Sequence, residues 1–178
     1  MSGGPMRIIV LVGNPKPRSR TLTVAELLAG RVAELIGTSH DRTVDLCDHA
    51  DRLFVWPDDE LAQLSADVAS ADILIVASPT YKASYTGLLK AFLDRYQTGG
   101  LAGVTAVPLM TVADPAHSLS VEFTLRPLLV ELGASVPTKA MSFLTPAMAE
   151  APSLVEAWVH DQERVLRSLS AGSREGTG

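Results

Sequence analysis

Cysteine, aromatic rings, positive charge and long apolar runs are all scarce in this chain. Cys47 is the only cysteine among 178 residues, so neither an internal disulfide nor a zinc cluster can form. That count suits a reducing, cytosolic compartment, and a small buried hydrophobe is the expected role of the thiol. Lys and Arg number 15 against 20 Asp and Glu, a net charge of −5, so the overall field repels nucleic acid rather than collecting it. The run Ile73–Ala77 is far short of the ~20 apolar residues that cross a bilayer. The Met1–Pro5 lead is too short and too polar for a signal peptide. A cytoplasmic protein that binds neither membrane nor nucleic acid is expected.

What is present is apolar and patterned. Apolar residues make up 47% of a chain with no repeat and no internal linker, which excludes disorder and predicts one hydrophobic core. Only the Gly/Ser-rich stretch from Ser170 to Gly178 reads as a frayed end, so one domain is expected over residues 1–170 with a flexible tail over 171–178. Residues 7–13 (Arg-Ile-Ile-Val-Leu-Val-Gly) are apolar in succession rather than alternately, the mark of a parallel strand covered on both faces. Leu22, Ala25, Ala29, Val32 and Ile36 then recur at helical spacing, and Gly37 can close that helix.

The same alternation continues along the chain. Strands are expected at Thr43–Cys47, Asp72–Ser78, Val104–Val112 and Ser135–Met141, with helices at Asp58–Ala71, Tyr85–Gln97, Ser118–Leu132 and Pro152–Leu169. Pro108 predicts a bulge in its strand, and Pro127 a kink or split in its helix. Five strands alternating with five helices predict an α/β fold, an open parallel sheet of flavodoxin-like order 2-1-3-4-5 with helices on both faces. Ligands of such sheets bind beyond the carboxyl ends of the strands, so the loops after Gly13, Ser78 and Met110 are the candidates.

The first of these loops holds Asn14, Lys16, Arg18, Ser19, Arg20 and Thr21: three cations, two hydroxyls and an amide in an otherwise acidic chain. A helix starting there adds free backbone N–H groups and its positive dipole end, which together make an anion site. A solvated basic connector is the plainer alternative for such a turn. Thr23 and Glu26 have capping-box spacing and compete with Ser19 or Thr21 for the helix cap. Neither G-x-G-x-x-G nor G-x-x-x-x-G-K-[ST] occurs here, which disfavours a dinucleotide fold or a P-loop NTPase. In the second loop, Pro79, Thr80, Tyr81 and Lys82 set an aromatic face and a cation at a turn where a planar ligand could lie.

Gly13-Asn14-Pro15-Lys16-Pro17-Arg18-Ser19-Arg20-Thr21 resembles the G-S-P-R-x-x-S-R-[ST] loop of the NAD(P)H-dependent FMN reductase family. The segment from Pro79 to Lys90 resembles that family's P-x-Y-K-A-[AS]-[YF]-[ST]-G-x-L-K motif. Ala116–Leu119 through Leu125–Leu129 is similar to the branch serving alkanesulfonate monooxygenases. The resemblance implies FMN, with its phosphate on Asn14, Lys16, Ser19, Arg20 and Thr21 and Arg18 at the rim. Its ring would lie between Pro79, Thr80, Tyr81 and Lys82 on one side and the turn Thr111, Val112, Ala113 and Asp114 on the other.

NADPH or NADH would then reduce the flavin, and no side chain is assigned as a catalytic acid or base. The implied activity is an NAD(P)H:FMN oxidoreductase that supplies reduced FMN to a monooxygenase. The alternatives are an FMN-bound reductase of quinones, azo dyes or metal oxyanions, and a non-enzymatic electron carrier or interaction module. The family's Thr-Gly-Gly turn stands here as Thr111-Val112-Ala113, where side chains are expected to crowd the ring. Asn14 and Lys16 replace serine and arginine, and Phe123 stands where that branch has a tyrosine.

Asp114 and His117 read as a helix entrance and its dipole partner, and no metal site is expected at His40, His49 or His160. Trp158, Leu154, Val165 and Leu169 predict the buried stripe of the last helix. Leu88, Leu89, Phe92, Leu93 and Tyr96 cover more than one face of their helix, which predicts a homodimer or homotetramer meeting there.

Overall fold

Ile8–Val12 (β1) and Ile73–Pro79 (β3) are buried at every residue, and they lie side by side at the centre of a parallel sheet, as strands covered on both faces must. The computed structural model describes residues 6–175, with side chains as far as Ser170; the Met1–Pro5 lead and the end of the expected tail lie outside the described residues. His40–Asp45 (β2) pairs with β1, Thr105–Val112 (β4) with β3, and Met141–Leu144 (β5) with β4. All four pairings are parallel, and the order is 2-1-3-4-5.

Alternate side chains then point to opposite faces of the sheet. Ile8, Val10, Val12, Ile73 and Ile75 pack under Arg20–Ile36 (α1) and Ala151–Glu175 (α5). Ile9, Leu11, Leu74 and Val76 pack under Asp59–Ala69 (α2), Gly87–Leu93 (α3) and Arg126–Glu131 (α4). The result is the flavodoxin-like three-layer sandwich. No helix among the described residues is long and apolar enough to cross a membrane.

Ser19 wins the competition to cap α1: its Oγ accepts from the Leu22 N–H at 3.1 Å. Gly37 ends the helix in the left-handed region at φ 75°. Asp58 caps α2 by accepting from the Leu61 N–H, and this bond, with the Arg52 guanidinium, holds its carboxyl below the usual carboxylate range.

The last strand differs from expectation. Residues 135–140 pair with the sheet only where Ser135 bridges Thr105, and β5 begins at Met141. Side chains take the backbone groups in between. Arg126 donates to the carbonyls of Val136 and Thr138 at 2.7 and 2.6 Å, and the N–H groups of Ala140 and Lys139 donate to Glu122 and Gln162. The same Arg126 pairs with Glu122 and holds that carboxyl below its ordinary range.

The expected bulge at Pro108 is absent: β4 keeps an unbroken register with β3 from Thr105 to Thr111. The reason is parity. The Thr105 N–H points to Asp72 on the β3 side and the Ala106 N–H to Ser135 on the other, so Pro108, two residues beyond Ala106, also faces away from β3. There the chain has left Ser135, and β5 pairs only from Leu109 onward, so the missing donor of Pro108 deprives no acceptor.

Pro127 marks its helix with a π-turn rather than a break: helical backbone runs on from the wide turn Val121–Leu125 into α4, and that turn accommodates the donor Pro127 lacks. α5 continues to Glu175, past the expected end at Leu169. Its buried stripe is Val155, Val159, Gln162 and Leu166, one position on from the expected Leu154 and Trp158. Gln162 hides that stripe from a hydropathy reading; its amide oxygen is satisfied by the Lys139 N–H.

α3 is shorter than the expected helix over residues 85–97. Leu89, Phe92 and Leu93 are buried, and Leu88 and Tyr96 pack against the same core, so this chain itself covers the apolar surface ascribed to a partner.

Candidate active site

Beyond the carboxyl ends of β1, β3, β4 and β5 lies a cavity of about 370 Å³. It brings together Asn14, Lys16, Arg18, Ser19, Arg20, Thr21, Pro79, Thr80, Tyr81, Thr111 and Ala113. Lys82, Val112 and Asp114 do not line it, whereas Pro17 and Thr145 do. The strand expected at Ser135–Met141 ends too early to bring Thr145 to the cavity; Thr145 follows directly on β5, which ends at Leu144.

One end of the cavity is built for an anion. The backbone N–H groups of Arg20 and Thr21, the first two of α1, have no acceptor among the described residues, as the opening turn of a helix dictates. Lys16, Arg18 and Arg20 are exposed around them, and none joins an ion pair among the described residues. Ser19 already accepts from Leu22, so its own hydroxyl proton is free to be donated. Arg18 is held at φ 49°, which turns the chain sharply just before the helix.

The side wall is a tight two-residue turn. Tyr81 and Ser84 exchange both backbone hydrogen bonds, at 2.8 and 3.1 Å, around Lys82 and Ala83 at φ 52° and 62°. Two non-glycine residues in the left-handed region cost roughly 1–2 kcal/mol each. The turn leaves Tyr81 47% exposed at the cavity rim and carries Lys82 outside it. Beside it, on a residue that lines the cavity, the Thr80 hydroxyl is buried with no partner among the described residues.

The expected crowding does not arise at Val112. It is the last residue of β4, paired with Leu144 and 1% exposed, so its side chain is spent in the core; Ala113 alone contributes a methyl group to the lining. Asp114 lies beyond the cavity and caps the short 3-10 turn Pro115–His117 by accepting from the Ala116 N–H.

The model of the NADPH-dependent FMN reductase family matches residues 6–146. The chain belongs to that family. The FMN reductase (NADPH) of Escherichia coli (strain K12) is 34% identical over 130 residues, covering 72% of this chain and 68% of that one. The NADH-dependent FMN reductase SfnF of Pseudomonas putida is 28% identical over 178 residues, with 96% and 95% covered. Among solved structures, an NADH:FMN oxidoreductase (EMOB) in its apo form matches with a TM-score of 0.73 at 31% identity, over 95% of this chain and 88% of that one. An oxidoreductase from Corynebacterium diphtheriae matches with a TM-score of 0.76 at 26% identity, over 98% and 100%. The FMN reductase motifs and the cavity occupy the same loops: both anion-turn and Tyr81-turn segments fall inside the matched residues.

The remaining titratable groups lie apart from this cavity. Cys47 is half-buried rather than buried, and desolvation with the neighbouring Asp45 and Asp48 pushes its thiol up to about 12, far from a reactive thiolate. His40 contacts Thr43, while His49 and His160 stand near Glu60 and Glu163.

Proposed function

We propose that this chain is an NAD(P)H-dependent FMN reductase of the cytoplasm that supplies reduced FMN to a monooxygenase. The observation that carries the reading is the meeting, around one cavity, of the anion-binding start of α1 with the turn presenting Tyr81 and the unpartnered Thr80 hydroxyl. The residues fit FMN chemically: donors and unpaired cations at one end for a phosphate, an aromatic face and a free hydroxyl at the other for a flat, polar-edged ring. FMN held there would supply the redox chemistry, with NADPH or NADH as the source of the hydride.

The chain's own part is to bind and orient. Lys16, Ser19, Arg20 and the first N–H groups of α1 hold the phosphate; Pro79, Thr80 and Tyr81 with Ala113 fix the ring. Arg18, exposed at the rim, adds a cation with no ion-pair partner among the described residues. No side chain is assigned a proton-transfer role.

The test is steady-state NADPH and NADH oxidation by the desalted protein. Rates should rise with added free FMN and saturate. Oxidation that needs a quinone and ignores free FMN would move the reading to a flavin-bound reductase, and a tightly held flavin with no turnover on either acceptor would make it an electron carrier.

Homo-oligomerisation is also part of this reading, but at a different surface from α3. Leu119, Phe123 and Val130 are 64%, 75% and 55% exposed along the crossover between β4 and β5, apolar surface that a second copy would cover. Size exclusion with light scattering at micromolar concentration should give a dimer or tetramer, and Phe123→Ser should weaken it. A wild-type monomer would defeat the oligomer.

A further inference from the structure

Three buried polar side chains connect loops that are far apart in sequence. Asn14, Thr21 and Thr111 are 7%, 1% and 3% exposed. The Lys16 N–H donates to Asn14 Oδ1 at 3.0 Å, which fixes the orientation of that amide. Asn14 Nδ2 therefore donates to Thr21 Oγ1, also at 3.0 Å, and Thr21 Oγ1 shares a hydrogen bond with Thr111 Oγ1 at 2.7 Å. The Thr111 carbonyl in turn accepts from the Thr80 N–H at 2.9 Å. Thr111 thus ties the end of β4 to the anion turn through its side chain, and to the loop after β3 through its backbone.

The protons of this chain can be counted. An amide nitrogen only donates, so Thr21 Oγ1 is already an acceptor. The two hydroxyls hold two protons, and one of these lies in the bond between them. The other has no acceptor among the described residues. If Thr111 donates, Thr21 keeps the free proton at the anion end of the cavity; if Thr21 donates, Thr111 keeps it. A bound phosphate dianion selects the first arrangement, because a charged acceptor gains roughly twice what a neutral one does.

We propose that Thr111 is a positioning residue for the phosphate of the flavin: it donates to Thr21 and so orients the Thr21 hydroxyl, turning its proton toward that phosphate. The proposal rests on the FMN reading of the cavity. It differs from the role the sequence motif implies for Thr111, which is contact with the ring. A ring contact would be felt alike by FMN and by riboflavin, which has the same ring and no phosphate, whereas action through Thr21 is felt by FMN alone.

The experiment is a fluorescence titration of FMN and riboflavin into the full chain and its variants. Thr111→Val leaves the Thr21 proton unopposed but no longer oriented, so it should weaken FMN about 3- to 5-fold, less than the loss of the Thr21 hydroxyl itself, and leave riboflavin within about 2-fold. Thr111→Ser should restore FMN binding. Thr21→Val should show the same preference for losing FMN, and the double variant should bind no worse than Thr21→Val alone, because the two act through one bond. Thr21→Val removes that bond from its other side and carries the comparison if Thr111→Val does not fold. Equal losses for the two ligands, additive losses in the double variant, or unchanged FMN affinity would each overturn the proposal. A wild-type chain that binds neither ligand would instead overturn the flavin reading.

Discussion

A chain carrying both Ser19→Ala and Arg20→Ala is expected to bind FMN about 100-fold more weakly, because two charge-assisted hydrogen bonds of ~1.5 kcal/mol each are removed from the phosphate. The two residues contribute differently. Arg20 is exposed, and no acidic partner among the described residues competes for it, so its full charge is available to an anion. Ser19 works twice, accepting from the Leu22 N–H to start α1 and offering its own proton to the cavity. Losing that cap also lowers stability by about 1 kcal/mol, which a melting curve reads separately from affinity. Arg20→Ala alone should therefore leave the melting temperature in place and still weaken FMN about 10-fold. Riboflavin, with no phosphate, should bind both variants as it binds wild type. An unchanged FMN dissociation constant in the double variant would remove the anion turn from the site.

That turn was readable because its chemistry is local. Lys16, Arg18, Ser19, Arg20 and Thr21 sit together in sequence, directly after a fully buried strand, and the structure keeps them around one cavity. The sheet order was readable for a similar reason: strands without polar positions, such as Ile8–Val12 and Ile73–Pro79, have no place except the centre. What escaped depends on partners distant in sequence. β5 starts late because Arg126 and Glu122 capture the backbone of residues 136–140, and nothing within that segment announces it. Pro108 is harmless only because the chain leaves that side of β4 just there. Thr145 enters the cavity as a consequence of the late β5. The motif places Val112 against the ring, whereas at the end of β4 its side chain is buried and off the cavity.

Gly13→Ala should be the most damaging single substitution near the site, and the reason is close packing rather than backbone conformation. A Cβ on residue 13 would lie 2.5 Å from the Cβ of Leu89, closer than real Cβ atoms come, and a tight 3.2 Å from its Cα. Neither side can give way easily. Gly13 continues β1, with its N–H bonded to the Ala77 carbonyl at 2.8 Å and its carbonyl accepting from the Thr86 hydroxyl. Thr86 is at the same time the cap of α3, accepting from the Leu89 N–H at 3.1 Å, so the helix and the strand end are pinned to each other at the point of contact. An added methyl group must therefore push α3 off the sheet and pull on Thr86. The expected loss is about 3 kcal/mol, the upper part of the usual range for overpacking. For a domain of this size that is a fall of roughly 6–12 °C in melting temperature. Leu89→Gly alone costs ~3–6 kcal/mol, the cavity in the core plus about 1 kcal/mol for glycine inside a helix. Combined with Gly13→Ala it removes the Cβ that the new methyl group strikes, which alanine at position 89 would keep, so the double variant should be more stable than the sum of the singles by ~1–3 kcal/mol. Chemical denaturation of the four proteins measures this directly. Strictly additive losses, or a Gly13→Ala chain that melts with wild type, would show that the contact between β1 and α3 does not hold the two loops of the cavity in place.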